Sequence, residues 1–137
     1  VNIMTDKKKR VAIIASSGGL ETAYKVLNIA TAAAALDAEV SVFFTFDGLE
    51  IIRKDAASTL QLGPGKEHLK ENFSKAGVPS VAELLDIAKE SGVKLIACQM
   101  TIEVMGLDLS HFTDGVDIGG AATFLDFAFD ADVTLNF

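Results

Sequence analysis

The stretch that most constrains the fold is residues 94–106, Lys-Leu-Ile-Ala-Cys-Gln-Met-Thr-Ile-Glu-Val-Met-Gly, because its pattern changes period midway. Val93, Leu95, Ile96 and Ala97 form a nearly unbroken apolar run, as a strand buried on both faces of a parallel sheet does. After Cys98 the spacing becomes helical: Met100, Val104 and Met105 recur, with polar Gln99, Thr101 and Glu103 between them. Gly106 then ends the run, as a glycine just past a helix does. Cys98 therefore stands where a strand passes into a helix. In open α/β sheets ligands bind at that end of the strands. A helix start also favours an anion, and hence thiolate over thiol. The plain alternative is that Cys98 fills a core, since free cysteine is among the most buried residue types.

The same alternation runs through the chain. Val11-Ala-Ile-Ile-Ala15 is a short apolar strand, followed by the small-residue turn Ser16-Ser17-Gly18-Gly19. A helix to about Leu36 then carries Leu20, Tyr24, Leu27, Ala30, Ala34 and Ala35 on one side, with Ser17 as the expected N-cap. Residues 39–46, β-branched and aromatic, read as a second strand that breaks at Asp47-Gly48. A short helix is expected over 49–54, a loop over 55–65 and a polar helix containing His68 over 66–75. Ser80-Val-Ala-Glu83 is a capping-box signature for a helix through Leu84, Leu85, Ile87 and Ala88. After the Cys98 strand come a short helix within 107–113, a small strand or loop over 115–118 and a helix opened by Gly119-Gly120. Phe124, Phe127 and Phe129 are expected to pack, and 133–137 is a final strand. Strands alternating with helices predict an α/β fold, a mostly parallel sheet of four or five strands with helices on both faces.

A chain of 137 residues suits one such domain, 1–137, and neither a repeat nor a domain boundary interrupts it. Half of it is hydrophobic and 23% charged, which fits neither a disordered nor a membrane protein. Apolar runs such as 29–36 are too short for a bilayer. The net charge of −7 argues against broad nucleic-acid binding, and the basic run 7–10 reads as a solvated end of a loose arm over 1–9. One cysteine allows no internal disulfide, and no apolar leader precedes the first strand; both point to a reducing cytoplasm. The high apolar fraction hints at surface buried between subunits.

All strands of a parallel sheet end on one edge, so Ser16, Ser17, Gly18, Gly19, Phe46-Asp47 and Cys98 are expected together, with backbone amides near Gln99 and Met100. A thiol there could hold a persulfide, a thiosulfate or another small oxyanion. Neither GxGxxG nor GxxxxGK[ST] occurs, so neither a dinucleotide cofactor nor a P-loop is expected, and no other cofactor is implied. Metal binding is not expected, because His68, His111 and Cys98 lack ligand spacing. A Cys98–His111 nucleophilic pair is conceivable.

Four segments carry a family resemblance: Ala15-Ser-Ser-Gly-Gly-Leu-Glu21, Val42-Phe-Phe-Thr-Phe-Asp-Gly-Leu49, Ala97-Cys-Gln-Met-Thr-Ile-Glu-Val-Met-Gly106 and Gly115-Val-Asp-Ile-Gly-Gly120. They resemble the DsrE/DsrF-like family, in its branch often labelled peroxiredoxin-like, over nearly the full length. The resemblance implies a three-layer α/β/α domain, a homo-oligomer, and one cysteine, here Cys98, that carries sulfur as persulfide or thiosulfonate and passes it to a partner protein. The expected function is thus a cytoplasmic sulfur carrier, with a sulfurtransferase activity left open. Two other readings stand beside it. One is a non-catalytic anion- or nucleotide-binding or assembly protein with a structural cysteine. The other is a one-cysteine thiol peroxidase, since no resolving cysteine exists in cis.

Overall fold

β1 (Arg10–Ala15), β2 (Glu39–Phe44), β3 (Lys94–Cys98), β4 (Val116–Gly119) and β5 (Val133–Asn136) run parallel in the computed structural model, which describes residues 7–137. They form one five-stranded sheet in the order β4-β3-β2-β1-β5. The chain steps outward from β1 to β4, then crosses back over the sheet to lay β5 beside β1. Right-handed crossovers in opposite directions put their helices on opposite faces, so the expected α/β architecture is the observed one.

The two layers differ in weight. Alternate residues of β1 separate them: Val11, Ile13 and Ala15 face the thicker layer, whereas Ala12 faces the thinner. The thicker layer is built by α1 (Leu20–Ala35), α4 (Val81–Glu90) and the 3-10 segment Phe46–Ile52. Their buried Val26, Leu27, Leu84, Leu85, Leu49 and Ile51 share one core with Val42, Phe44 and Leu95. The thinner layer rests on one helix, α6 (Ala121–Ala128). Its Phe124 stacks on Phe43 of β2 with ring centroids 5.3 Å apart and shares a cluster with Ala12, Ile96 and Cys98. Cys98 therefore belongs to the lightly covered side of the sheet.

Several expected elements change form. β2 ends at Phe44 and not at 46, because the chain turns there into the 3-10 segment. Thr45 N–H still donates to Ala15 O (2.9 Å), Phe46 takes a positive φ of 48°, and Gly48 N–H closes onto Thr45 O (2.9 Å). A Cβ at Gly48 would strike the Ala15 carbonyl, so glycine is what lets this segment cross the end of β1. Within the expected loop 55–65, Ala56–Thr59 forms a helical turn, α2, that buries Ala56. The polar helix over 66–75 divides into a 3-10 turn, Glu67–Leu69, and α3 (Lys70–Lys75), whose Phe73 stacks on Tyr24 at 4.8 Å. The Ser80 hydroxyl accepts from Glu83 N–H (3.1 Å) and caps α4, which is one half of the expected capping box.

Two side-chain expectations fail. Ser17 does not cap α1; the N-cap is Gly19, with φ 92°, because the turn needs a residue that accepts a positive φ at that point. Phe129 does not pack; it lies one residue past the end of α6 and is 79% exposed. Of the expected N-terminal arm, residues 1–6 lie outside the described residues, and Lys7, Lys8 and Lys9 are exposed without regular structure.

Candidate functional site

The parallel register brings the strand ends into one row. Ala15 pairs with Phe44, Phe44 with Ala97, and Cys98 with Gly119. One residue further along, Ser16, Thr45 and Cys98 follow one another across the carboxyl edge. Neighbouring strands lie about 5 Å apart, so Ser16 is roughly 10 Å from Cys98 with Thr45 between them.

Cys98 ends β3 and is the N-cap of α5 (Gln99–Met105). That helix closes as its sequence demands: Gly106 adopts φ 67° and Leu107 N–H returns to Ile102 O (2.9 Å). Cys98 is only 5% exposed. Burial pushes its pKa up, but the hydroxyl and N–H of Thr101, the hydroxyl of Thr45 and the N–H of Met100 favour the anion and together hold the thiol below its ordinary value. No cap hydrogen bond of normal geometry closes on the sulfur, so these groups act as a surrounding cradle.

Thr101 is the centre of that cradle. It is fully buried on the first turn of α5. Its Oγ1 accepts from Phe46 N–H (3.2 Å) and lies 3.2 Å from Thr45 Oγ1. Neither threonine was singled out by sequence reasoning. Thr101 reads as a polar residue between helix contacts, and Thr45 as part of a strand. The first turn of α5 brings Thr101 beside Cys98, and the register of β2 against β3 brings Thr45 beside both. The one usable signal was position: Thr101 lies three residues after a cysteine at a strand-to-helix junction.

The other expected residues lie along the same edge with their donors differently engaged. Ser16 N–H and hydroxyl both donate to Phe137 O (2.8 and 3.2 Å), which ties β1 to the chain end. Gly19 N–H donates to a carboxylate oxygen of Glu50 (3.3 Å), and Leu20 N–H donates to Gln61 O (2.9 Å). Gly18 lies so close to that Glu50 oxygen that a Cβ would overlap it. The turn thus already faces an internal anion. Ser17 is exposed at its tip. Gln99 directs its side chain along α5 to Glu103 (3.3 Å), away from the thiol, whereas the Met100 amide faces it.

The 60–66 segment is fastened to the start of α1. Gly63 N–H and Lys66 Nζ both donate to the Glu21 carboxylate (2.6 and 2.9 Å), which lies below its ordinary pKa chiefly through Lys66 and then Gly63. His111 is kept apart from Cys98. It lies on the stretch entering β4 from the opposite edge, and its Nδ1 accepts from Asp108 N–H (3.1 Å). A cavity of 460 Å³ opens between α1, α3 and α4 beside Tyr24, Leu60 and Phe73 and touches none of the candidate residues. Among the described residues, no three potential ligands gather around a metal position, and no helix is long and apolar enough to cross a membrane.

Comparison with known proteins agrees with the fold. The chain is 35% identical to the sulfur carrier protein DsrE2 of Allochromatium vinosum, over 94% of this chain and 98% of that one. It is 32% identical to the uncharacterized protein YrkE of Bacillus subtilis, over 96% of this chain and 99% of that one. The crystal structure of the ychN protein from E. coli shares the fold, with a TM-score of 0.69 at 19% identity, covering 94% of this chain and 99% of that one. The model of the DsrE/DsrF/DrsH-like family matches residues 7–68 and 57–136, and with these relatives it shows that the chain belongs to that family.

Proposed function

We propose that this protein carries sulfane sulfur on Cys98 and passes it to a thiol of a partner protein. The observation that carries the reading is the placement of the chain's one thiol: it ends an inner strand on the carboxyl edge of the sheet, in surroundings that favour its anion. The name of the Allochromatium relative supports the same chemistry.

In loading, the Cys98 thiolate attacks the outer sulfur of a donor persulfide or of thiosulfate. An S–S bond forms to Cys98 as the donor's S–S bond breaks, and a thiolate or sulfite leaves. In unloading, a partner thiolate attacks the outer sulfur of the Cys98 persulfide, and Cys98 departs as thiolate. Neither step needs a cofactor. Because Cys98 is nearly buried, the added sulfur is the atom that reaches toward a partner. Ser16, Ser17, Gly18 and Gly19, with the amides near Gln99 and Met100, are the proposed cradle for an incoming oxyanion, with Glu50 releasing the Gly19 amide. The net charge of −7 disfavours free anions, so delivery by a protein donor in the cytoplasm fits best. Exposed Phe46, Met100 and Val104 flank the site and suit contact with a relay partner or another subunit.

The burial of Cys98 beside Phe124 favours one competitor, a small-anion-binding or assembly protein with a structural cysteine. Intact-mass spectrometry separates the two. After exposure to thiosulfate, tetrathionate or polysulfide, the native protein should gain a sulfur or thiosulfonate increment that reduction removes. Cys98→Ser should fold and gain none. A native thiol that stays unmodified and reacts only in denaturant would establish the competitor.

A further inference from the structure

The stretches that leave the carboxyl edge around Cys98 carry charge of one sign. Residues 16–19, 45–52, 98–105 and 119–128 include no lysine, arginine or histidine. Their charged groups, Asp47, Glu50, Glu103 and Asp126, are all acidic and exposed. On the flanking α1 and 60–66 segment, Lys66 is taken up by Glu21 (2.9 Å), on which Lys25 also acts.

The same edge exposes apolar surface. Phe46, Met100 and Val104 each leave half or more of their surface in solvent. Met100 and Val104 stand one turn apart on α5, and Phe46 N–H donates to Thr101 Oγ1 (3.2 Å), so the three gather at that helix just past Cys98. The acids lie among them. Glu103 precedes Val104, Asp47 follows Phe46, and Glu50 is one 3-10 turn beyond Asp47. Phe46 holds a φ of 48°, which is unfavourable for a bulky side chain and occurs at sites kept for a function. Within this chain a half-exposed ring gains little to offset it.

An apolar patch ringed by carboxylates fits a surface of the opposite charge and repels an acidic one. A second copy fits poorly. In a two-fold contact, the commonest between identical chains, the patch would meet itself and set Asp47, Glu50 and Glu103 against their own copies. We propose that Phe46, Met100 and Val104, ringed by Asp47, Glu50 and Glu103, dock a relay protein whose acceptor cysteine is set among lysines or arginines beside an apolar residue. This surface rests on, and narrows, the proposed unloading of Cys98. The partner's cations hold its own cysteine as thiolate. That thiolate attacks the outer sulfur of the Cys98 persulfide, an S–S bond forms to the partner as the one to Cys98 breaks, and Cys98 leaves as thiolate beside the same cations. The cation that this site lacks thus arrives with the acceptor.

The probes are two fluorescent peptides of equal length, each with a leucine beside a central serine that replaces the acceptor cysteine. One is flanked by lysine and arginine, the other by aspartate and glutamate at the same positions. Fluorescence anisotropy with unloaded protein reads their binding without any sulfur chemistry. The basic peptide should bind and the acidic one should not. Raising ionic strength from about 0.1 M to about 1 M shortens the Debye length from about 10 Å to about 3 Å and should weaken binding at least about tenfold. Glu103→Lys should weaken it about tenfold, whereas Glu71→Lys on exposed α3 makes the same change in net charge and should alter it by less than about twofold. Phe46→Gly should weaken it about tenfold and still fold, because glycine accepts a positive φ, and should keep the wild-type mass in solution. Equal effects of Glu103→Lys and Glu71→Lys would reduce the binding to net charge and overturn the proposal. So would binding of both peptides alike or of neither, or a fall in solution mass on Phe46→Gly, which would make the patch a contact between copies. Failure of the carrier reading looks different: the basic peptide binds as described, but Cys98 takes up no sulfur.

Discussion

At the residue scale, Cys98 joins a packing role to a chemical one. It fills the thin layer beneath α6 while its sulfur faces two hydroxyls and two amides. A thiol whose folded pKa is depressed stabilises the fold above its unfolded pKa, and that contribution is lost as pH falls through the folded value. The stability of the wild type relative to Cys98→Ser should therefore rise as pH climbs from the folded pKa of Cys98 toward the ordinary thiol value, and level off above it. Urea unfolding of both proteins across that window measures the gap. A gap independent of pH would mean the native environment does not favour the thiolate. Cys98, Gln99 and Met100 were legible in the sequence because a change of period marks a junction. Thr45 and Thr101 were not, because a hydroxyl's role depends on which proton donors and acceptors the register brings to it.

At the element scale, local signals were most dependable where backbone chemistry is self-contained. Ser80 caps α4 and Gly106 closes α5 because each satisfies backbone groups that the helix cannot satisfy itself. Replacing Ser80 by alanine removes the acceptor of Glu83 N–H and should cost about 1 kcal/mol in chemical denaturation. Loss of helical amide protection should be confined to the start of α4. Signals failed where an element answers to distant chain. β2 stops at Phe44 because the following segment must cross the Ala15 carbonyl, and α1 begins at Leu20 because Glu50 and Gln61 meet its entrance.

At the scale of the whole molecule, the sheet's unequal cover decides how the site is protected. One eight-residue helix shields the face that includes Cys98, whereas α1, α4 and the 46–52 segment cover the other. Phe124 is the main plug of the thin side. Phe124→Ala should destabilise the protein by about 3–5 kcal/mol through loss of buried area and the cavity left behind. It should also speed reaction of Cys98 with a neutral thiol probe under native conditions. Destabilisation without faster labelling would show that α6 does not limit access.

By itself the sequence determined the alternation of strands and helices, the parallel sheet, and the place of Cys98 where a strand gives way to a helix. Apolar period and glycine positions are properties of short windows, and they read out directly. Tertiary structure alone decided that Thr45 meets Thr101 beside the thiol, that Glu50 already occupies the Gly19 amide, and that His111 stays on the opposite edge. These depend on strand order and register, which bring together residues 31 to 56 positions apart in the chain. No local pattern encodes such pairings, because they follow from how the whole sheet packs.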